Sequence, residues 1–189
     1  MARPLSEQKR EAILAAAAEL VAAVGTGAST ANIAKAARVS EGTLFTYFAT
    51  KDELLNQLFV DIETNLAETV FAAVSTNADS HDRVRRIWDC LVEWGIANPT
   101  WRKALRQLKV SDRISDESRK RCDALFGESR EMIERSLAGH VDPKRAAFYI
   151  GTVLMGLADV TIEAIATNPK NREHLKRAGF DLFWKGTAA

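Results

Sequence analysis

The sequence predicts an all-α chain: an N-terminal three-helix unit that contains a helix-turn-helix, then a larger helical bundle, about nine helices in all. Three observations predict it. Helix breakers are scarce, with four Pro and ten Gly in 189 residues, while Ala, Leu, Glu, Lys and Arg abound. Apolar residues recur at three- and four-residue spacing in nearly every segment between Gly, Asn and Pro breaks. And the stretch Ser29–Lys51 reads as a short helix, a tight turn, a second short helix and the start of a third. With 47% hydrophobic residues the chain has ample material for a core, and no Gly-rich linker or low-complexity tract interrupts it.

The first helix runs from about Leu5 or Ser6 to Val24. Glu7 suits the positive end of its dipole, and Ile13, Leu14, Ala17, Leu20, Val21 and Val24 form its apolar stripe. Gly25-Thr26-Gly27 ends it by supplying the positive φ that helix termini favour. Ser29 then caps a second helix through its hydroxyl, with Ile33, Ala34 and Ala37 as a narrow apolar face. Arg38-Val39-Ser40 breaks that pattern, and Ser40 caps a third helix from Glu41 to about Phe48. Leu44 and Phe48, four apart, share its buried side. Glu41, Gly42, Thr43, Thr46 and Tyr47 point elsewhere. Thr50 caps the next helix, whose first turn holds Lys51, Asp52 and Glu53. A helix-turn-helix of this kind lays its second helix in the DNA major groove while the first crosses the backbone. On spacing alone an ordinary helical hairpin fits as well.

The run IAKAARVSEGTLFTYFATKDELL resembles the signature of the TetR family of transcriptional regulators. That pattern has an Ile-Ala pair (Ile33-Ala34), a Val-Ser turn (Val39-Ser40), a recognition helix of Gly-Thr-Leu-aromatic-x-aromatic-Phe (Gly42 to Phe48), and Lys-x-x-Leu-Leu opening the next helix (Lys51 to Leu55). The resemblance is contiguous and covers the first third of the chain. It implies a DNA-binding domain at 1–52 and a ligand-binding and dimerisation domain at 53–189. It implies double-stranded operator DNA as partner, a homodimer, and a repressor released by a small-molecule effector.

The expected DNA-binding residues are Ser29, Thr30, Arg38, Ser40, Glu41, Gly42, Thr43, Phe45, Thr46, Tyr47 and Lys51. The hydroxyls of Ser40, Thr43 and Tyr47 suit phosphate oxygens or base edges. Lys51 matches a lysine the family uses on a phosphate, at a helix N-terminus that itself attracts anions. Glu41, Gly42 and Thr46 face the groove; Glu41 either accepts from a cytosine amino group or is a solvated first-turn carboxylate. Two residues depart from the family pattern. Arg38 stands where Gly is usual, at a position expected to need positive φ, at a cost of about 1 kcal/mol. Phe45 replaces a common Tyr and removes one hydroxyl contact.

From Lys51 a long helix continues to about Ser75 through Leu54, Leu55, Leu58, Phe59, Ile62, Leu66, Val70 and Val74, with a loop from Thr76 to Ser80. Further helices are expected at about His81–Ala97, Thr100–Val110 and Asp116–Ala138. Gly139 to Pro143 is a turn, with Asp142 as N-cap and Pro143 as first residue of a very apolar helix reaching Ala166. Gly151 and Gly156 within it suit the close approach of another helix. The last helix spans about Asn171–Trp184. A helix apolar on nearly all sides is buried on both faces, and the resemblance assigns the last two helices to a dimer interface. Ile150, Leu154, Leu157, Phe180, Phe183 and Trp184 are its expected residues. Trp88, Trp94, Trp101, Phe126, Met132, Phe148 and Met155 either line an effector pocket for an apolar or aromatic ligand or fill an ordinary core. Arg102, Arg106 and Asp159 are candidate polar anchors there.

Charge adds little: the chain is net +1, and six basic residues face five acidic ones up to Asp52. Arg3, Lys35, Arg38 and Lys51 nonetheless lie where a phosphate backbone would pass, with Arg3 either a minor-groove arm or a free terminus. Cys90 and Cys122 have no CxxC partner and read as buried small hydrophobes in a reducing compartment. No signal-peptide core opens the chain, and the uncharged run Ala146–Ala158 is short for a bilayer, so a cytoplasmic protein with no membrane partner is expected. No HExxH, GxGxxG, P-loop or GxSxG pattern occurs, and His81, His140 and His174 are isolated. No enzyme activity, cofactor or metal is expected. The remaining alternative is a helical interaction or ligand-sensing module without specific DNA binding, which the weak basicity and Phe45 would fit.

Overall fold

The computed structural model describes residues 6–73 and 79–189. The arm Met1–Pro4 with Arg3, the helix end at Val74-Ser75 and the loop at 76–78 lie outside the described residues. Among the described residues there are ten helices: α1 (Glu7–Val24), α2 (Thr30–Ala36), α3 (Glu41–Tyr47), α4 (Lys51–Ala73), α5 (Ser80–Ala97), α6 (Pro99–Lys109), α7 (Asp116–Leu125), α8 (Gly127–Leu137), α9 (Ala146–Thr167) and α10 (Arg172–Gly186). Among the described residues an isolated bridge between Ala138 and Val141 is the nearest approach to a strand.

The chain forms two compact units. The first comprises the described residues of Met1–Thr64 together with Asn98–Ala124, so α6 and most of α7 sit with α1 to α3 and the start of α4. Its core is built on α1, where Ile13, Ala16, Ala17, Ala18 and Val21 are buried. Three consecutive buried alanines remove bulk from that helix, and α6 packs closely against it, with Ala104 fully buried in return. Gly25, at φ +76, turns the chain out of α1, and a Cβ there would lie 3.4 Å from Gln107 Oε1 of α6. Val24, expected in the buried stripe, is 66% exposed. It is the last residue before that turn. Glu63 of α4, 4% exposed, is held by Lys109 Nζ at 2.9 Å.

The second unit comprises the described residues of Asn65–Ala97 with Leu125–Ala189. Here α9 packs on α5 and α10. Trp88 is completely buried and donates its indole N–H to Lys176 O at 2.9 Å. The close approach is made at Gly179 of α10, where a Cβ would meet Trp88 Cζ2 at 2.6 Å. At Gly151 and Gly156, the expected close-approach glycines, a Cβ would meet nothing beyond its own helix turn within 4 Å among the described residues.

Two expected boundaries shift. Asp116–Ala138 is not one helix: Phe126, at φ −92 and ψ 0, stands between α7 and α8, and the Gly after it adds no helix propensity. Pro143 does not open α9. Asp142 accepts the Lys144 N–H on its carboxylate at 3.0 Å and the Arg145 N–H on its carbonyl at 2.9 Å, which makes a separate turn, and the helix begins at Ala146. From there α9 runs 22 residues, past Asp159 to Thr167, with Tyr149–Leu154 wound as π-helix. By length and composition alone this helix could cross a bilayer.

Candidate nucleic-acid interface

The turn between α2 and α3 is held by local chemistry. Ser29 Oγ accepts the Asn32 N–H at 3.2 Å, and Ser40 Oγ accepts the Thr43 N–H at 3.0 Å, so each short helix has the cap its sequence calls for. Arg38 has φ 57. Around it the Arg38 N–H donates to Lys35 O at 3.1 Å and the Val39 N–H to Ala34 O at 3.0 Å. This paired closure with a left-handed residue is the Schellman motif, and it reverses the chain within three residues. Arg38 is the one non-glycine at positive φ among the described residues.

The structure sorts α3 into two faces. Leu44 and Phe48 are buried against the unit's core, while Glu41, Gly42, Phe45 and Thr46 are exposed. Several hydroxyls expected to be free are already engaged. Thr30 Oγ1 donates to Glu41 Oε1 at 2.5 Å, tying α2 to α3 through the carboxylate. Ser40 and Thr43 hydroxyls share a bond of 2.8 Å, and Thr46 Oγ1 donates to Gly42 O at 2.9 Å. Tyr47 is half-buried, and its phenol oxygen accepts the Ser6 N–H at 2.9 Å. Its own O–H remains available to donate, beside the first turn of α1. Each bond fixes a side-chain rotamer on the surface and leaves the oxygen's remaining capacity outward.

At the next helix, Thr50 Oγ1 accepts the Glu53 N–H at 3.0 Å and Glu53 Oε2 accepts the Ala49 N–H at 2.7 Å, a reciprocal cap on α4. Lys51 stands in this first turn. Its ammonium pKa is lowered, first by partial burial and then by the neighbouring Arg113 guanidinium, against the opposing pull of Asp52. Arg113 comes from the loop after α6 and donates from Nη1 to Asp52 Oδ1 at 2.7 Å. Sequence reasoning did not connect Arg113, Asp52 and Asn56 to this surface. The pairing spans about sixty positions of chain, and no local pattern signals it.

A family model described as bacterial regulatory proteins, tetR family, matches residues 13–58, from the middle of α1 into α4. A TetR family transcription regulator from Shewanella sp. PV-4 superposes with a TM-score of 0.84 at 28% identity, over 96% of this chain and 98% of that one. The segment 13–58 therefore resembles the DNA-binding part of that family, and the whole chain has the fold of a TetR family transcription regulator. A second TetR family transcription regulator, from Marinobacter aquaeolei VT8, has the same fold, with a TM-score of 0.80 at 22% identity over 96% of both chains. The HTH-type transcriptional regulator YhgD of Bacillus subtilis (strain 168) is 28% identical over 91 residues. That match spans about half the length of the curated relative, 48% of each chain.

Outside the matched segment, the expected effector-pocket residues are distributed unevenly. Trp88 and Trp94 are buried; Trp94 donates its indole N–H to Asn65 Oδ1 at 2.9 Å. Phe126, Met132 and Met155 are half-buried in the same unit, and Trp101 is half-buried in the first unit. Phe148 is 58% exposed and lines no interior space of its own chain. Arg102 is buried on α6, Arg106 is exposed and Asp159 is half-buried. Of the expected dimer residues, Ile150, Leu154, Phe180 and Phe183 are buried in their own unit, so their apolar surface is already spent. Leu157 and Trp184 are half-buried, and the Trp184 ring stacks on His140 at 3.8 Å. The apolar side chains left open on α9 and α10 are Phe148, Val160 and Leu182. Asp79, His81 and Asp82 bring possible metal-ligand atoms within 4.8 Å of one another, but all three are exposed and Asp79 already accepts the Asp82 N–H of α5 at 2.8 Å.

Proposed function

We propose that the chain is a DNA-binding transcriptional regulator that binds a palindromic operator as a homodimer, and that it is a repressor released by a small apolar or aromatic effector. The observation that carries this reading is the exposed face of α3. Glu41, Gly42, Phe45 and Thr46 lie open opposite the buried Leu44 and Phe48, the arrangement a recognition helix needs to meet base edges. Ser29, Thr30, Ser40, Thr43 and Tyr47 offer hydroxyls around it, and Arg38 and Lys51 offer charge, for phosphates on either side. Glu41 takes part through the Thr30 bond, as an oriented acceptor for a cytosine amino group. In this reading residues 1–52 serve DNA and residues 53–189 serve effector and partner, in the cytoplasm and without catalysis.

A near-neutral surface gives each protomer modest affinity, so two half-sites engaged together supply the rest. For the second copy we assign the open face of α9 and α10: Phe148, Val160 and Leu182 are exposed apolar groups, and Gly151 and Gly156 leave room for a helix to press close. An effector held among the aromatic residues of the C-terminal region would favour a state whose recognition helices no longer match successive major grooves.

The test is a gel-shift titration against DNA from around the protein's own gene at two salt concentrations. A discrete, self-competed shift that weakens with salt supports the reading, and Lys51→Ala combined with Tyr47→Phe should then abolish it while helicity and dimerisation persist. Only weak, sequence-blind binding at every fragment would overturn specific regulation and leave an interaction module.

A further inference from the structure

We propose that Arg113, in the loop between α6 and α7, is a further DNA-backbone residue that forms one phosphate-binding surface with Lys51 at the start of α4. The proposal rests on the DNA-binding reading above and adds a contact from outside the helix-turn-helix.

The loop has a fixed place. Asn56, one turn along α4 from Asp52, donates from its amide to Arg113 O at 2.9 Å and to Asp52 O at 2.7 Å. Its Oδ1 accepts the Ser115 N–H at 2.9 Å and the Ser115 hydroxyl at 3.0 Å. From the other side Arg119 donates to Lys109 O at 3.0 Å and to Ser111 O at 2.9 Å. Five hydrogen bonds from two side chains therefore seat a short loop against the first turns of α4.

The guanidinium is arranged for an anion. Asp52 takes Nη1, and the other guanidinium N–H groups have no partner among the described residues. The side chain is 47% exposed. Lys51 is near enough for the two cations to oppose each other, which adds to the burial that lowers the Lys51 pKa. Two like charges held together at a helix N-terminus are relieved by a phosphate that both can reach. The Asp52 pairing has a purpose in the same setting. An unpaired carboxylate in the first turn of α4 would repel a phosphate docking at Lys51, and Arg113 cancels that charge while adding donors.

Phosphate contacts are sequence-independent and read out in the salt dependence of binding, so the test needs no known operator. Fluorescence anisotropy with a labelled mixed-sequence duplex, between about 50 and 200 mM salt, gives the slope of log K against log salt. Arg113→Ala should lower the magnitude of that slope by about 0.9 per protomer, one phosphate contact, and Arg113→Lys should retain it. A purely structural loop residue would change thermal stability and leave the slope alone. If Arg113→Ala loses helicity, Arg113→Gln, which keeps a donor for Asp52, takes its place. A folded variant with the wild-type slope overturns the role of Arg113 alone. A wild-type protein that ignores the duplex at the lowest salt overturns the DNA-binding reading and this contact with it.

Discussion

Replacing Arg38 by Gly should stabilise the fold and weaken DNA binding in one step. Arg38 sits at φ 57 between α2 and α3, and both bonds that close the turn come from backbone N–H groups, its own and that of Val39. Neither depends on the side chain. An L-residue in the left-handed region costs about 1–2 kcal/mol, and Gly gives back about 0.5–1 kcal/mol through its greater freedom in the unfolded chain. The net gain is about 0.5–1 kcal/mol, which for a chain of this size raises the melting temperature by about 1–4 °C. Thermal melts by far-ultraviolet circular dichroism should compare the wild type with Arg38→Gly, Arg38→Ala and Arg38→Lys. Ala and Lys keep a Cβ in the strained region and should melt near the wild type, whereas Gly should melt higher. The salt slope of duplex binding should sort the same variants differently. On the DNA contact proposed above, Gly and Ala should each lose one phosphate contact per protomer and Lys should retain it. A Gly variant no more stable than the Ala variant would refute the strain argument, because the two differ at this position only in the Cβ.

Other perturbations test the rest of the packing. Lys109→Met leaves the Glu63 carboxylate, 4% exposed, without its cation and should cost roughly 3 kcal/mol by urea denaturation, whereas Glu63→Gln should cost under about 1 kcal/mol. Gly179→Ala drives a Cβ to 2.6 Å from Trp88 Cζ2, a ring pinned by its bond to Lys176 O, and should destabilise by about 1–2 kcal/mol with a shift in tryptophan emission. A Cβ at Gly156 would meet nothing beyond its own helix turn among the described residues, so Gly156→Ala should slightly stabilise the protomer and, by sedimentation, weaken the self-association proposed above. Burial pushes the Cys122 thiol up to about 11 from 9.0, aided by the nearby Glu63 carboxylate. The folded state therefore holds that proton where the unfolded chain has released it. Stability from this group is intact below pH 9.0 and falls as the pH rises toward about 11. Cys122→Ala should flatten that decline in alkaline denaturation curves.

What the sequence made legible was what its chemistry decides within a few residues. The caps at Ser29, Ser40 and Thr50 each bond a backbone N–H three residues on, so their signal is complete in a four-residue window. The positive φ at Arg38 was expected from the family pattern, which usually has Gly at that position, and not from the residue itself. The break at Phe126 was not legible, because apolar spacing continues across it and the interruption is a backbone conformation at one residue. Nor was the placement of α6 beside α1. A run of four alanines shows helix propensity, but it does not say which helix will use the space they leave.

The division of α9 is the clearest case, because periodicity fails there for a stated reason. A helix apolar on nearly every side has no phase, so Ile150 and Leu154 cannot be told from Phe148 and Val160 by spacing. The structure breaks that symmetry through α5 and α10: residue 179 is Gly, Trp88 fills the space its missing Cβ leaves, and this contact brings α10 close to α5. Ile150, Leu154, Ile162 and Ile165 are then buried, while Phe148 and Val160 remain open. Exchanging the two sets should therefore have opposite consequences. Ile150→Ala should cost about 2–5 kcal/mol of protomer stability, as a buried truncation does. Val160→Ala should leave the protomer unchanged and weaken only self-association. Equal effects of the two on the protomer's denaturation midpoint would mean that the open face is not the one that Val160 marks.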